Sequence, residues 1–209
     1  MTEADDDLPA GDFSSWADEV TAALRGERGS DVPCGTCLGC CTSSQFVHIG
    51  PDETETLARI PRALRFPAPG LPRGHVLLGY DQRGRCPMLV DDRCSIYEHR
   101  PRTCRVYDCR VFPATGLDPA EGDGDKERIA ARTRRWRFSH PSEADRIRHE
   151  AARAAARFLR DRAGELPEGV APRTTTECAV MAVAIHALFV GSAEPDPATV
   201  GAEILRRRR

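Results

Sequence analysis

Between residues 34 and 109 this chain places eight cysteines, Cys34, Cys37, Cys40, Cys41, Cys86, Cys94, Cys104 and Cys109, and the first four fall within the eight residues CGTCLGCC. A segment so rich in thiol is restricted in what it can become, because it needs either covalent cross-links or bound metal to hold one shape. Disulfides are the weaker explanation. The total of nine cysteines is odd, and the N-terminal MTEADDDLPAGD lacks the basic start, apolar stretch and small-residue cleavage site of a secretory signal, so a reducing, cytoplasmic location is expected. A bond between the neighbours Cys40 and Cys41 would also be strained, since sequential side chains diverge from disulfide geometry.

Metal accounts for the pattern better. Zinc takes four ligands in a tetrahedron, and a Cys-x-x-Cys turn brings two thiolates to one ion. Iron–sulfur clusters likewise need four cysteines. Cys34, Cys37 and Cys40 have the close three-cysteine spacing, and Cys86 is followed by Pro87, as a remote cluster ligand often is. Both readings stay open. The Cys-x3-Cys-x2-Cys spacing of radical enzymes that use S-adenosylmethionine is absent. Adjacent side chains point to opposite sides of a strand, or about 100° apart on a helix, so Cys40 and Cys41 are expected to serve different centres. Eight thiolates are also what two four-coordinate sites consume. From Asp81 to Arg110 seven arginines face five carboxylates, a local positive excess that favours thiolate. Tyr97 and Tyr107 are expected to pack against the cluster, His99 to lie on the surface, and Cys178 to be an ordinary packed residue in an apolar stretch.

The second half of the pattern reads Cys86-Pro-Met-Leu, then Arg93-Cys94-Ser-Ile-Tyr-Glu-His-Arg-Pro-Arg-Thr-Cys104-Arg-Val-Tyr-Asp-Cys109. With the CGTCLGCC block before it, residues 30 to 112 resemble the CxxCxxCC cysteine-cluster family, a zinc- or iron-chelating domain found in flagellin lysine N-methylases and in many small bacterial proteins. The resemblance implies that the eight cysteines bind zinc or iron, an iron–sulfur cluster included. It leaves the activity open. The alternative it carries is an iron–sulfur-dependent redox or protein-modifying enzyme like the methylases, with S-adenosylmethionine as methyl donor and a protein substrate. No glycine-rich strand–turn–helix of donor-binding type is visible in the sequence.

The rest of the chain supplies a frame. A hydrophobic content of 40% suffices for a core, and a net charge of -2 gives no sign of a nucleic-acid or membrane-surface partner. The most apolar stretch, Cys178 to Val190, is too short for a span of roughly 20 residues. The expected fold is α+β, mainly α-helical: an irregular cysteine-rich metal-binding module with short strands, packed with C-terminal helices. The boundaries read as a disordered acidic tail over 1–11, the metal-binding module over 12–112, an acidic glycine-rich linker over 113–127 and an α-helical region over 128–209. In detail, DFSSWADEVTAALRGERG reads as a helix capped by Ser14 or Ser15 with Trp16, Val20, Ala23 and Leu24 on its apolar face. SQFVHIG reads as a strand, Pro51-Asp-Glu-Thr as a helix start, 66–74 as a loop, and HVLLGY with CPMLV as a hairpin. Helices are expected over 126–138, over 141–163 with Ile147, Ala151, Ala154 and Phe158 as the buried stripe and Ser139 as cap, over 174–190, and over 197–208.

Overall fold

A computed structural model describes residues 6–30, 32, 34–121, 123–191 and 194–207. Helices hold 48% of the chain and strands 11%, so the fold is α+β and mainly α-helical. In chain order the strands are β1 (Leu8–Asp12), β2 (Val47–Ile49), β3 (Arg65–Pro67), β4 (Val76–Leu78), β5 (Leu89–Val90), β6 (Arg93–Cys94) and β7 (Trp136–Ser139). The helices are α1 (Phe13–Leu24), α2 (Thr54–Arg59), α3 (Arg102–Val106), α4 (Val111–Thr115), α5 (Glu127–Thr133), α6 (Glu143–Asp161), α7 (Thr175–Ile185) and α8 (Pro197–Arg207).

A frame of α1, α4, α6 and α7 carries most of the core. Phe13, Trp16, Ala17 and Val20 of α1 meet Val111, Phe112 and Ala114 of α4, Ala152 of α6, and Ala179 and Val183 of α7. A second cluster joins Ala155, Phe158 and Leu159 of α6 to Met181, Ala182 and Ile185 of α7 and to Val200 and Ile204 of α8. Alanines at the α6–α7 contact let the two backbones approach closely, which maximises dispersion contacts along both helices. The third cluster is much smaller: Ile49, Ile60, Leu78, Met88 and Ile96, under the cysteine-bearing segments.

Several local expectations change under long-range pairing. Residues 1–5 of the expected disordered tail lie outside the described residues, but Leu8–Asp12 is a strand, paired in parallel with β7 through Leu8↔Trp136 and Asp12↔Ser139. The same pairing ends the helix expected over 126–138 at Thr133, because Trp136–Ser139 extends to meet β1. HVLLGY and CPMLV do not form a hairpin. Instead β4 lies between β2 and β3 in a three-stranded antiparallel sheet, which also turns part of the expected 66–74 loop into strand β3, while β5 pairs with β6. Within 113–127, read as linker, Ala114 and Thr115 belong to α4 and are buried, and Gly116 closes that helix in the left-handed conformation. The helix expected over 174–190 is α-helical to Ile185 and continues as a 3₁₀ turn over His186–Phe189.

The stripe of α6 also rotates. Ile147 is exposed, whereas Asp145 and His149 are buried with Ala151, Ala152, Ala155, Ala156, Phe158 and Leu159. Two polar groups face inward because each has work there. Asp145 forms the capping box of α6 with Ser142, in place of Ser139, and its Oδ1 accepts from the Ser14 backbone N–H at 3.0 Å, so one carboxylate caps two helices. Hydrogen bonds from Ser142 and the Ser14 amide hold that carboxyl far below its ordinary range. His149 stacks on Phe13 with ring centres 4.4 Å apart.

Candidate metal centre

The first four cysteines sit on two consecutive tight turns. Cys37 N donates to Cys34 O at 2.9 Å, and the Gly39 amide then points at Cys37 Sγ at 3.4 Å, the amide-to-sulfur contact that favours thiolate at a metal-binding turn. Space is tight at Gly39, where a Cβ would come within 3.3 Å of Arg128 O and 3.5 Å of Cys37 Sγ. Cys40 and Cys41 lie on a 3₁₀ turn, Cys40–Thr42, with their sulfurs 3.9 Å apart. Thr42 and Ser43 hydroxyls tie that turn back to Leu38 O at 2.9 Å and Gly39 O at 2.5 Å.

The remaining four return to these turns from far along the chain. Cys86 N donates to Cys41 O at 2.8 Å, fastening the second segment to the first. Asp91 and Asp92 both have positive φ (48° and 54°), the backbone of a two-residue hairpin turn, and this folds β6 onto β5 so that Cys94 lies opposite Leu89 and returns toward Cys86. Cys104 is on α3, whose start is fixed by a buried carboxylate: Glu53 accepts from Arg102 N at 2.5 Å and from Gly50 N at 2.9 Å. Thr103 Oγ1 donates to His48 O at 2.8 Å, tying α3 to β2. Cys109 enters the frame. It is buried, and Trp136 Nε1 donates to its sulfur at 3.3 Å. Next to it Asp108 accepts from Trp16 Nε1 at 3.0 Å, from Ser30 Oγ at 2.9 Å and from Arg110, and Arg110 reaches on to Ala10 O at 3.1 Å.

The charges the thiols would carry interact in two groups. Although Cys34 keeps solvent-exposed surface, the protein packed round its sulfur and then the neighbours Cys40 and Cys37 push its pKa up to about 11. Burial raises Cys109 to about 12 against the lowering by the Trp136 N–H, with Cys34 and Cys37 adding to the rise. In the other group burial raises Cys86, assisted by Cys94 and Cys40, and raises Cys104 to about 12, assisted by Cys40, Cys86 and Cys94. Cys40, raised first by its hydrogen bond with Cys41 and then by burial, acts on both groups. These thiols are protonated at neutral pH, so a cation that binds them must displace protons. Among the described residues, no three His, Cys, Asp or Glu side chains already surround a common point as a finished cage.

The donor set nevertheless fits a thiophilic ion. Soft sulfur donors suit zinc and iron–sulfur centres, and the N–H groups of Gly39 and Trp136 already point at two of the sulfurs. A model of the CxxCxxCC family, described as a "Putative zinc- or iron-chelating domain", matches residues 33–133. Residues 33–133 are a CxxCxxCC domain. The domain extends beyond the 30–112 expected from the motifs, and the structure gives the reason: α5 covers the first cysteine turns, with Arg132 Nη2 donating to Cys34 O at 3.3 Å. No curated protein and no solved structure matches the chain significantly.

Sequence reasoning missed the supports of this domain. Glu53, Asp108, Arg132 and Trp136 act across 27 to 98 positions of the chain, and only Asp108, beside Cys109, carried a local hint. Tyr97 does not pack on the cluster. It is 63% exposed and stacks under Arg100 at 4.1 Å, whereas Tyr107 is half-buried and packs against the frame, its hydroxyl pKa raised by burial and then by Cys109 and Cys40. His99 pairs with Glu55 at 3.2 Å. Cys178 is buried in the frame, donates to Ala156 O at 3.8 Å and belongs to neither thiol group. Among the described residues no helix is long and apolar enough to cross a membrane.

Proposed function

We propose that this CxxCxxCC domain binds zinc or iron through Cys34, Cys37, Cys40, Cys41, Cys86, Cys94, Cys104 and Cys109, in two thiolate centres that meet at the Cys40–Cys41 pair. The observation that carries the reading is the match of residues 33–133, which contain all eight cysteines, to the chelating family, together with the geometry that gathers them: Cys86 N on Cys41 O and N–H groups aimed at the sulfurs of Cys37 and Cys109. Sulfurs that oppose one another's ionisation when empty are stabilised together by one cation between them. Cys40 and Cys41 are the members left to divide between the groups.

Bound metal supplies a cross-link to segments with little core of their own. This chain's residues orient the sulfurs: Gly39 N–H and Trp136 Nε1–H offer hydrogen bonds to Cys37 and Cys109, Glu53 holds the start of α3, and Asp108 fixes the approach to Cys109. Metal analysis of protein purified without air from its native host tests the reading. Zinc or iron in the protein supports metal binding, and two metal ions or two clusters per chain support two centres; protein lacking both zinc and iron overturns the reading. Substituting Cys109→Ser and Cys104→Ser separately should each remove about half the metal if there are two centres. Loss of all metal from either variant would replace two centres by one. A brown protein would favour the iron–sulfur alternative, and with it a redox or protein-modifying role.

A further inference from the structure

A cleft of about 560 Å³, lined in part by Trp136, opens between the α4 terminus, β7 and α6. Half-buried Pro113, Leu117 and Phe138 give it apolar walls over the buried Phe112 and Trp136. Three arginines stand on its rim. Arg134 is neutralised by Asp118 at 2.9 Å and Glu127 at 2.7 Å, and Arg137 pairs with Asp7 at 3.0 Å while its Nη1 donates to Arg134 O at 2.7 Å and Trp136 O at 3.1 Å. Arg153 lines the same cleft and makes no hydrogen bond or ion pair among the described residues.

The histidines add a directed donor chain. His149 Nε2 faces Pro113 O at 3.4 Å, and His149 Nδ1 lies 2.8 Å from His140 Nε2. With the His149 Nε2–H given to the carbonyl, its Nδ1 accepts from His140, whose own Nδ1 is then the nitrogen left without a ring partner. Burial, and then the nearby Arg153 charge, holds His149 down to about 4, so it stays neutral at physiological pH. With Arg134 paired to Asp118 and Glu127 and Arg137 paired to Asp7, Arg153 is the rim cation that has no carboxylate partner among the described residues.

We propose that this cleft is a second binding site, for a small organic anion that carries a carboxylate or phosphate group on an apolar body. The guanidinium of Arg153 takes the oxyanion, Arg137 assists by exchanging Asp7 for it, and the apolar part lies against Pro113, Leu117 and Phe138. The volume suits a metabolite-sized molecule, and guanidinium groups match both oxyanions through paired N–H donors. Because Trp136 lies under the cleft and also donates to Cys109, such a ligand would sit one side chain from the thiols. The binding claim itself does not rest on metal at Cys109.

Calorimetric titration of the purified full chain with benzoate and with phenyl phosphate tests the site, with metal content measured on the same sample. At least one of the two should bind, and Arg153→Gln, an exposed position, should weaken that binding about tenfold or more with metal content unchanged. Benzyl alcohol and inorganic phosphate should each bind far more weakly than the combined probe. No binding of either anion, equal affinity in Arg153→Gln, or equal binding by the neutral alcohol or by bare phosphate would each overturn the proposal. A Leu117→Asp variant gives a second check, since a carboxylate on the apolar wall should repel the same probes.

Discussion

The helical frame and the cysteine-bearing segments solve the folding problem in different ways. In the frame, Leu159, Ala155, Ala182 and Val183 are completely removed from water, and its three long helices, α1, α6 and α7, run from 11 to 19 residues. Between residues 34 and 106 the elements run from two to six residues, and the core reduces to five buried apolar side chains. Apolar burial is enough for the first region. The second is held by clamps, Glu53 on α3, Cys86 N on Cys41 O and the Thr42 and Ser43 hydroxyls, each worth about 1 kcal/mol net. The contrast teaches where metal would matter: in the region whose own packing is too sparse to define one shape.

Metal removal is the strongest way to break the comparison. Structural zinc contributes roughly 10–16 kcal/mol to small domains, so chelation should raise amide exchange across residues 34–106 while α6 and α7 stay protected. Equal loss of protection in both regions would show that they are one unit. Next comes the joint between them. Asp108→Ala leaves Arg110 buried without this carboxylate and removes the acceptor of Trp16 and Ser30, so urea unfolding should show a loss of about 3–5 kcal/mol. Leu159→Ala should cost about 3 kcal/mol in the same assay, yet leave metal content unchanged, because Leu159 packs only within the frame.

Acid sharpens the same contrast from the frame side. His149 is held down to about 4 by burial and Arg153, while an unfolded histidine titrates near 6.5. Between those values the unfolded chain binds the proton and the folded chain does not. The frame's stability is thus complete above pH 6.5 and falls as pH drops toward 4, by on the order of 2 kcal/mol. His186, also lowered by burial, adds to the same slope. Exchange at α6 amides across that range reads the effect, and His149→Gln should flatten it. The smallest change is expected for Cys178→Ala, about 1 kcal/mol from lost packing with no change in bound metal.

The family was legible in the sequence because its cysteine motifs are defined by spacing, and spacing is a local property. So were α1 and the C-terminal helices, where apolar residues recur at helical intervals. What failed had its cause elsewhere in the chain. Trp136–Phe138 looked helical and lies in a strand because Leu8–Asp12, 128 positions earlier, pairs with it. β4 took β2 and β3 as neighbours in preference to the nearer CPMLV. Ile147 was given the inward place that Asp145 and His149 hold, since periodicity assigns apolar groups to the core and cannot foresee a carboxylate that caps a second helix or an imidazole that stacks on Phe13. The division of the thiols into groups was equally out of reach, as it depends on where Cys109 re-enters.

That re-entry has a further effect. The chain leaves α1 after Leu24 and returns at Asp108, and Ser30 joins the two ends, its N–H to Arg105 O at 2.7 Å and its hydroxyl to Asp108. Exit and return thus form a closed neck, so the entropy of looping the intervening stretch is met by the frame rather than by the incoming ion. The thiols are confined at high effective concentration before any cation arrives, and cutting the neck at Ser30 or Asp108 would loosen the grip on metal without touching a single sulfur.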